Sequence, residues 1–266
     1  MKLKLQHLSD IHEEFSHIDI SELIHDEANL VIFTGDISTG YDMMEALSRT
    51  ANQFPDKTFV AIAGNHELYT LSYDDYLQNI HGWNQLCDNL HFIENSSVEL
   101  FDGKVCVAGG IGWSNLKGFD EESKQNLSTA IDDFKLIHYR DRLLKPSDLP
   151  ILNLEYQQSM VNHFNQSEAG IKIGLSHFPQ SHQLANSKFD IEGLGYYFCS
   201  DSNDFFIELA ELNVALFLSG HTHESYDKSV EGVRNMSIQV GYPEELFSEQ
   251  KDIIIAVKKI SCEFDI

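Results

Sequence analysis

Polar and apolar residues alternate from Leu3 to Leu8, the period of a half-buried strand. Two short apolar runs follow, Leu30–Thr34 ended by Gly35-Asp36 and Thr58–Ala63 ended by Gly64-Asn65. Between them, Tyr41–Phe54 sets Met44, Leu47 and Ala51 at helical spacing, and Pro55 closes the segment. Val98–Phe101 and Val105–Ala108 flank Asp102-Gly103, a dipeptide favoured in tight hairpin turns. The pattern predicts later strands at Ile171–Ser176, Val214–Ser219, Ser237–Val240 and Ile253–Val257. Helices are predicted at Tyr73–Leu86, Asn153–Asn165 and Ser202–Glu211. Short strands bounded by turn residues and separated by helical patterns point to a layered α/β fold. Gly112–Pro150 breaks the pattern: it is rich in charge, Asn and Ser, has some helical character and shows no clear strand. With no internal repeat or low-complexity linker, the expectation is a single domain over residues 1–266 with a cap-like insertion at about 112–150.

Composition narrows the function classes. The 266 residues are 42% apolar and 23% charged, as in an ordinary globular chain, yet 18 Lys+Arg face 42 Asp+Glu for a net charge of −24. Such a surface repels nucleic-acid polymers and anionic membranes. No apolar run approaches the roughly 20 residues that span a bilayer, and Met1–Leu8 alternates instead of forming a signal-peptide core. Cys87, Cys106, Cys199 and Cys262 have no short spacing, so neither a zinc knuckle nor a disulfide framework is expected. A soluble, cytoplasmic protein is the expectation.

Five short segments each directly follow a predicted strand: Asp10-Ile11-His12, Gly35-Asp36, Gly64-Asn65-His66-Glu67, Ser176-His177 and Gly220-His221-Thr222-His223. Ligands of open α/β sheets gather at the C-terminal ends of strands, where side chains from several strands converge. Mixed imidazole and carboxylate suits Mn, Fe or Zn, whereas an all-oxygen set would favour Ca or Mg. A carboxylate can bridge two ions, an Asn carbonyl adds a neutral ligand, and His-x-His can serve two ions from one loop. Two ions about 3.5–4 Å apart can clamp the attacking and leaving oxygens of a displacement at phosphorus. Each segment alone is weak; all five in order, each at a strand end, are hard to obtain by accident.

With those residues in view, the sequence resembles the calcineurin-like metallophosphoesterase superfamily. Its pattern is Asp-x-His, Gly-Asp, Gly-Asn-His-Asp/Glu, His, then Gly-His-x-His, and the match spans Asp10 to His223. The chain is further similar to bacterial and phage members with a short cap, through Gly112-Trp113-Ser114-Asn115 and Asp133-Phe134-Lys135. The resemblance implies a four-layer α/β/β/α sandwich with a dimetal site at one edge. It implies that Asp10, His12, Asp36 and His223 hold one ion, and that Asp36, Asn65, His177 and His221 hold the other, Asp36 bridging. It makes His66 a non-ligand general acid and a metal-bridging hydroxide the nucleophile. Two departures stand out. The superfamily's Ser/Thr protein phosphatases continue the second motif to an Asp that orients the catalytic His, and here Thr39 stands there. They also carry Arg before Gly-Asn-His-Glu, where this chain has Ala63. Both argue against a protein phosphatase of that type and leave the partner of His66 open, with adjacent Glu67 a candidate.

The expected activity is hydrolysis of a phosphomonoester or phosphodiester of a small molecule. A dimetal nuclease is an alternative, although no basic path for phosphates is evident. A non-catalytic metal-binding interaction module is another, although every motif residue is present. Trp113, Tyr139, Arg140 and Arg142 are candidates for substrate contact, with packing and surface ion pairing the readings favoured for them. Tyr196-Tyr197-Phe198 reads as buried structure, and the eight histidines outside the motifs (His7, His17, His25, His81, His91, His138, His163 and His182) as surface or packing residues. Nothing in the sequence sets the metal pair, the substrate or the oligomeric state.

Overall fold

A computed structural model describes residues 2–15, 18–186, 195–243 and 250–266, with side chains left out at 250–253. The first half runs β1 (Lys2–Leu8), α1 (Ile20–Leu23), β2 (Leu30–Thr34), α2 (Gly40–Gln53), β3 (Thr58–Ile62), α3 (Tyr73–Trp83) and β4 (Leu90–Phe92). Next come β5 (Ser96–Leu100), β6 (Val105–Gly109), α4 (Glu121–Ala130), α5 (Asp133–Leu136), β7 (His138–Tyr139), β8 (Arg142–Leu143) and α6 (Leu149–Gln166). The chain continues through β9 (Ile171–Leu175), α7 (Asn203–Glu211), β10 (Val214–Leu218), β11 (Tyr226–Val230), β12 (Val233–Ser237), α8 (Gln250–Val257) and β13 (Cys262–Asp265).

These strands build two central sheets. The first has the order β13-β1-β2-β3-β4, parallel except for β13 at its edge. The second has the order β11-β12-β10-β9-β6-β5, with four parallel inner strands and an antiparallel strand at each edge. Parallel strands covered on both faces are continuous apolar runs, and all five residues of β2 are buried. In β6, Val105 and Val107 face the core between the sheets, while Cys106 and Ala108 join a separate outer cluster. That cluster packs Tyr156, Met160 and Phe164 of α6 and Phe205, Phe206 and Leu209 of α7 against Phe217 of β10. On the far side, Met43, Leu47 and Ala51 of α2 and Tyr76 of α3 close the first sheet. Helix, sheet, sheet and helix therefore stack as the expected four layers.

The sheets meet at a polar seam. Buried His7 in β1 contacts Thr34 Oγ1 through Nε2 at 2.8 Å and accepts from the Ile238 N–H through Nδ1 at 3.1 Å. Burial pushes this imidazole down to about 3, so it stays neutral and serves both partners. The Val240 N–H donates to the Ser9 carbonyl at 3.0 Å, and Ser9 and Gln239 pair across the seam. The predicted strand Ser237–Val240 is thus displaced: the ladder strand is β12, and its continuation crosses from one sheet to the other.

Ile253–Val257, predicted as a strand, lies within helix α8. Its β-branched run does not face one core: Val257 is buried and Ile254 half-buried, but Ile255 is 73% exposed. A three-residue period of burial belongs to a helix resting one face on the protein. The strands β4, β11 and β13 have no counterpart in the sequence pattern, nor does the two-residue pair β7–β8 that follows α4 and α5.

One buried acid lies apart from the seam. Glu94, just after β4, accepts from the Tyr73 hydroxyl at 3.1 Å and the Ile111 N–H at 2.9 Å. Burial pushes its carboxyl up to about 8. The folded chain therefore keeps a proton that the unfolded chain releases near pH 4, and this contribution to stability falls as pH rises from about 4 to about 8. Urea denaturation at pH 5 and pH 8 should show the parent losing on the order of 2 kcal/mol more than Glu94→Gln across that interval. Equal losses would show that Glu94 is ionised in the fold.

Candidate metal centre

All five motifs sit where strands end. Asp10 and His12 follow β1, Asp36 follows β2, and Asn65 and His66 follow β3 as it enters a single 3-10 turn, His66–Tyr69. His177 follows β9, and His221 and His223 follow β10, so both sheets contribute. The chain must turn sharply here. Asp10, His12, Asp36, His221 and His223 have φ of 55°, 50°, 52°, 71° and 49°. The left-handed region costs a residue with a Cβ about 1 kcal/mol or more, so surrounding contacts must hold these turns in place.

Those contacts are visible. The N–H groups of Asp10, His12 and Glu13 donate to the carbonyls of Gly35, Asp36 and Ile37 at 3.1, 3.0 and 2.8 Å, which carries the ladder past the strand ends. Fully buried Glu67 accepts from the N–H groups of Asp36, Ile37, Ser38 and Gly64 at 3.0, 2.7, 3.3 and 2.6 Å. Glu67 is therefore not the partner of His66 that its place in the sequence suggests; its oxygens tie the loop after β2 to the loop after β3. Burial and the nearby Asp36 charge push Glu67 up to about 7. Glycine is required where the loops touch, since a Cβ on Gly64 would lie 2.2 Å from Asp36 Oδ1.

The side chains converge on two adjoining points. His12 Nε2 lies 3.2 Å from His223 Nε2, and His223 Nε2 lies 3.5 Å from Asp10 Oδ1. On the other side, His177 Nε2 lies 3.0 Å from Asn65 Oδ1, 3.1 Å from His221 Nδ1 and 3.3 Å from Asp36 Oδ2. Asp36 Oδ2 is also 3.9 Å from His12 Nε2, which places it between the two groups. His177 donates its Nδ1–H to the Thr34 carbonyl at 2.7 Å, which turns its Nε2 toward Asn65 Oδ1. Asn65 Nδ2 donates to Tyr69 Oη at 3.1 Å and to Asp133 Oδ1 at 3.0 Å, which fixes its carbonyl oxygen toward His177. Buried electron-pair donors gathered this closely, on imidazole, carboxylate and amide, suit divalent ions.

A family model described as calcineurin-like phosphoesterase matches residues 3–225. The chain belongs to the calcineurin-like phosphoesterase family. It is accordingly a metal-dependent phosphoester hydrolase. Solved structures share the fold. Phosphopantetheinyl hydrolase (PptH) from Mycobacterium tuberculosis is 16% identical with a TM-score of 0.71, over 92% of this chain and 91% of that one. The protein TT1561 of Thermus thermophilus is 13% identical with a TM-score of 0.54, over 91% of this chain and 90% of that one. Among curated proteins the sequence finds no significant match.

Several residues of this phosphoesterase site carried no signal in its motifs. Glu14 Oε1 accepts from His66 Nδ1 at 2.9 Å and from His12 Nδ1 at 3.1 Å. Tyr242 Oη lies 3.0 Å from His66 Nε2, and its ring stacks on His12 with centroids 4.3 Å apart. Asp133, buried at the start of α5, accepts from the hydroxyls of Tyr69 (2.7 Å) and Tyr197 as well as from Asn65. Burial opposes ionisation of Asp36, but His177 and His66 hold its carboxyl well below the usual range. Burial likewise opposes a charge on His66, but Asp36 and the Glu14 hydrogen bond raise it to about 9. Glu14 is held down to about 2 against its burial by hydrogen bonds from His12 and His66.

Other candidates lie elsewhere. Trp113 is 2% exposed and packs on Phe178 with centroids 5.1 Å apart, so it is an anchor of the fold. Arg142 pairs with Asp148 at 2.7 and 2.8 Å, and the Arg140 guanidinium lies over the Tyr139 ring at 4.9 Å. Tyr197 and Phe198, read as buried structure, line a cavity of about 160 Å³ with Asp36, Asn65, His66, Asp133 and Tyr242. A second cavity of about 420 Å³ shares His66, Tyr69 and Tyr242 and is bounded by Glu14, Phe15 and Leu136. No helix among the described residues is long and apolar enough to cross a membrane.

Glu67→Gln tests the clamp, because an amide keeps one acceptor oxygen and sets two N–H donors against backbone donors. Urea denaturation should show a loss on the order of 3 kcal/mol, with weakened Mn²⁺ binding by calorimetry. Unchanged stability would mean that the two loops do not depend on this carboxylate.

Proposed function

We propose that the chain hydrolyses a phosphate ester of a small molecule at a two-ion centre. Asp10, His12, Asp36 and His223 would surround one ion and Asp36, Asn65, His177 and His221 the other. The observation that carries this reading is Asp36 Oδ2, 3.3 Å from His177 Nε2 and 3.9 Å from His12 Nε2, which belongs to both donor groups. Divalent ions held there supply an activated water and positive charge for the phosphoryl oxygens, and Mn, Fe and Zn all accept these ligands.

The chain's own groups supply the rest. His66 has a ligand-type atom close enough to His12 and Asp36 to join a metal set. Both its ring nitrogens are engaged elsewhere, however, Nδ1 by Glu14 and Nε2 by Tyr242. With Nδ1 held by Glu14, a proton on His66 Nε2 can pass to the departing oxygen as the phosphorus–oxygen bond breaks. The described residues around the two cavities include carboxylates and aromatic rings but no Lys or Arg. With the net charge of −24, this supports a compact substrate over a nucleic-acid polymer.

The test is turnover after Mn²⁺ reconstitution, on an aryl phosphomonoester and the matching bis-aryl diester, with bound metal counted. Asp36→Asn should lose metal and activity together. His66→Ala should keep two ions per chain yet lose about 10²–10⁴-fold in kcat on an unactivated ester. Loss of an ion from His66→Ala would make His66 a ligand, and full activity in that variant would remove it from the chemistry. The ratio of the two substrates assigns the enzyme to monoesters or diesters.

A further inference from the structure

We infer that Glu14 is the positioning residue for the proton donor, filling the role left open by Thr39. The inference rests on the reading of His66 as general acid. Thr39 borders the same cavity as Glu14 and His66 but brings only a hydroxyl. The other nearby carboxylates are committed: Glu67 is spent on four backbone N–H groups, and Asp36 Oδ1 takes the His66 backbone N–H at 3.0 Å. Glu14 alone among the described carboxylates reaches the ring, at 2.9 Å from Nδ1.

Geometry gives this contact its consequence. The His66 ring lies between Tyr69, at 4.6 Å between centroids, and the edge of His12, at 4.5 Å. A proton on Nδ1 held by Glu14 leaves Nε2 as the atom that exchanges a proton in the cavity, on the side where Tyr242 Oη stands 3.0 Å away. The same Oε1 takes the Nδ1–H of His12, whose Nε2 faces His223 Nε2 at 3.2 Å. One oxygen thus holds the ring of a proposed ligand and that of the proton donor. Glu14 Oε2 is buried and finds no side-chain hydrogen-bond partner among the described residues, so the two imidazoles are the side chains that Glu14 holds. In sequence, Asp-x-His extends to Asp-x-His-x-Glu, through Asp10, His12 and Glu14.

Leaving-group dependence tests this, because a nitrophenolate departs without a proton and an unactivated alkoxide or phenolate does not. With Mn²⁺ saturating and bound metal counted, Glu14→Gln should lose about 10–100-fold in kcat on phenyl phosphate. On 4-nitrophenyl phosphate it should lose about threefold or less, with KM little changed on either. Adding Glu14→Gln to His66→Ala should cost no more on phenyl phosphate than the threefold or less that Glu14→Gln costs on 4-nitrophenyl phosphate. Glu14→Asp, which keeps the charge and shortens the reach, should show the same selective loss and serves if the amide does not fold. Equal losses on both esters, no loss on either, or a loss that excess Mn²⁺ restores on both would overturn the inference. If His66→Ala itself shows no leaving-group dependence, the general-acid reading fails first, and the two failures are distinguishable.

Discussion

Backbone N–H groups from two different strand ends point at the Glu67 carboxylate, and no other described acid takes so many. Without that acceptor, the loop after β2 would leave buried donors unsatisfied in a turn that L-residues avoid. With it, Asp36 can adopt φ 52° and aim one oxygen between the two groups of imidazoles. Gly64 lets the second loop approach closely enough to share the clamp. The order of dependence runs from sheet seam to loop, from loop to Asp36, and from Asp36 to the rest of the donor set.

The acids of this chain fall into two environments. Glu67, Glu94 and Asp133 are buried among amides and hydroxyls, and burial raises each of them. Asp36 and Glu14 face imidazoles, which lower them despite burial. The first kind fixes positions: Glu67 the loops, Asp133 the Asn65 amide and two tyrosine hydroxyls. The second kind lies where charge is handled. Most of the remaining acids have no such company, and they give the surface its polarity without entering the chemistry.

The two-sheet frame and the five motifs were legible because parallel strands need apolar runs and the motif residues must stand at their ends. Val105–Ala108, Ile171–Ser176 and Val214–Ser219 read as strands for that reason, and the ladder forms at each of them. Ile253–Val257 misled because β-branched composition cannot say how many sides of a run are covered, and here Ile255 faces solvent. Cys262–Asp265 was missed because a four-residue edge strand gains its identity from pairing with β1, not from its own pattern. Glu14 and Tyr242 were invisible for another reason. Their partners are far off in sequence or on rings whose orientation only the fold sets, and neither spacing nor composition encodes that.

The seam between the sheets also bears on the order of synthesis. Asp10, His12, Asp36 and Asn65 emerge from the ribosome well before His177, and His223 emerges last of the set. At roughly 5–20 residues per second, the interval from first to last is on the order of ten seconds or longer. Through that time Asp10, His12, Asp36 and Asn65 stand without the imidazoles of His177, His221 and His223. The proposed donors from the two sheets therefore come together only once β9 and β10 have docked beside β1, β2 and β3.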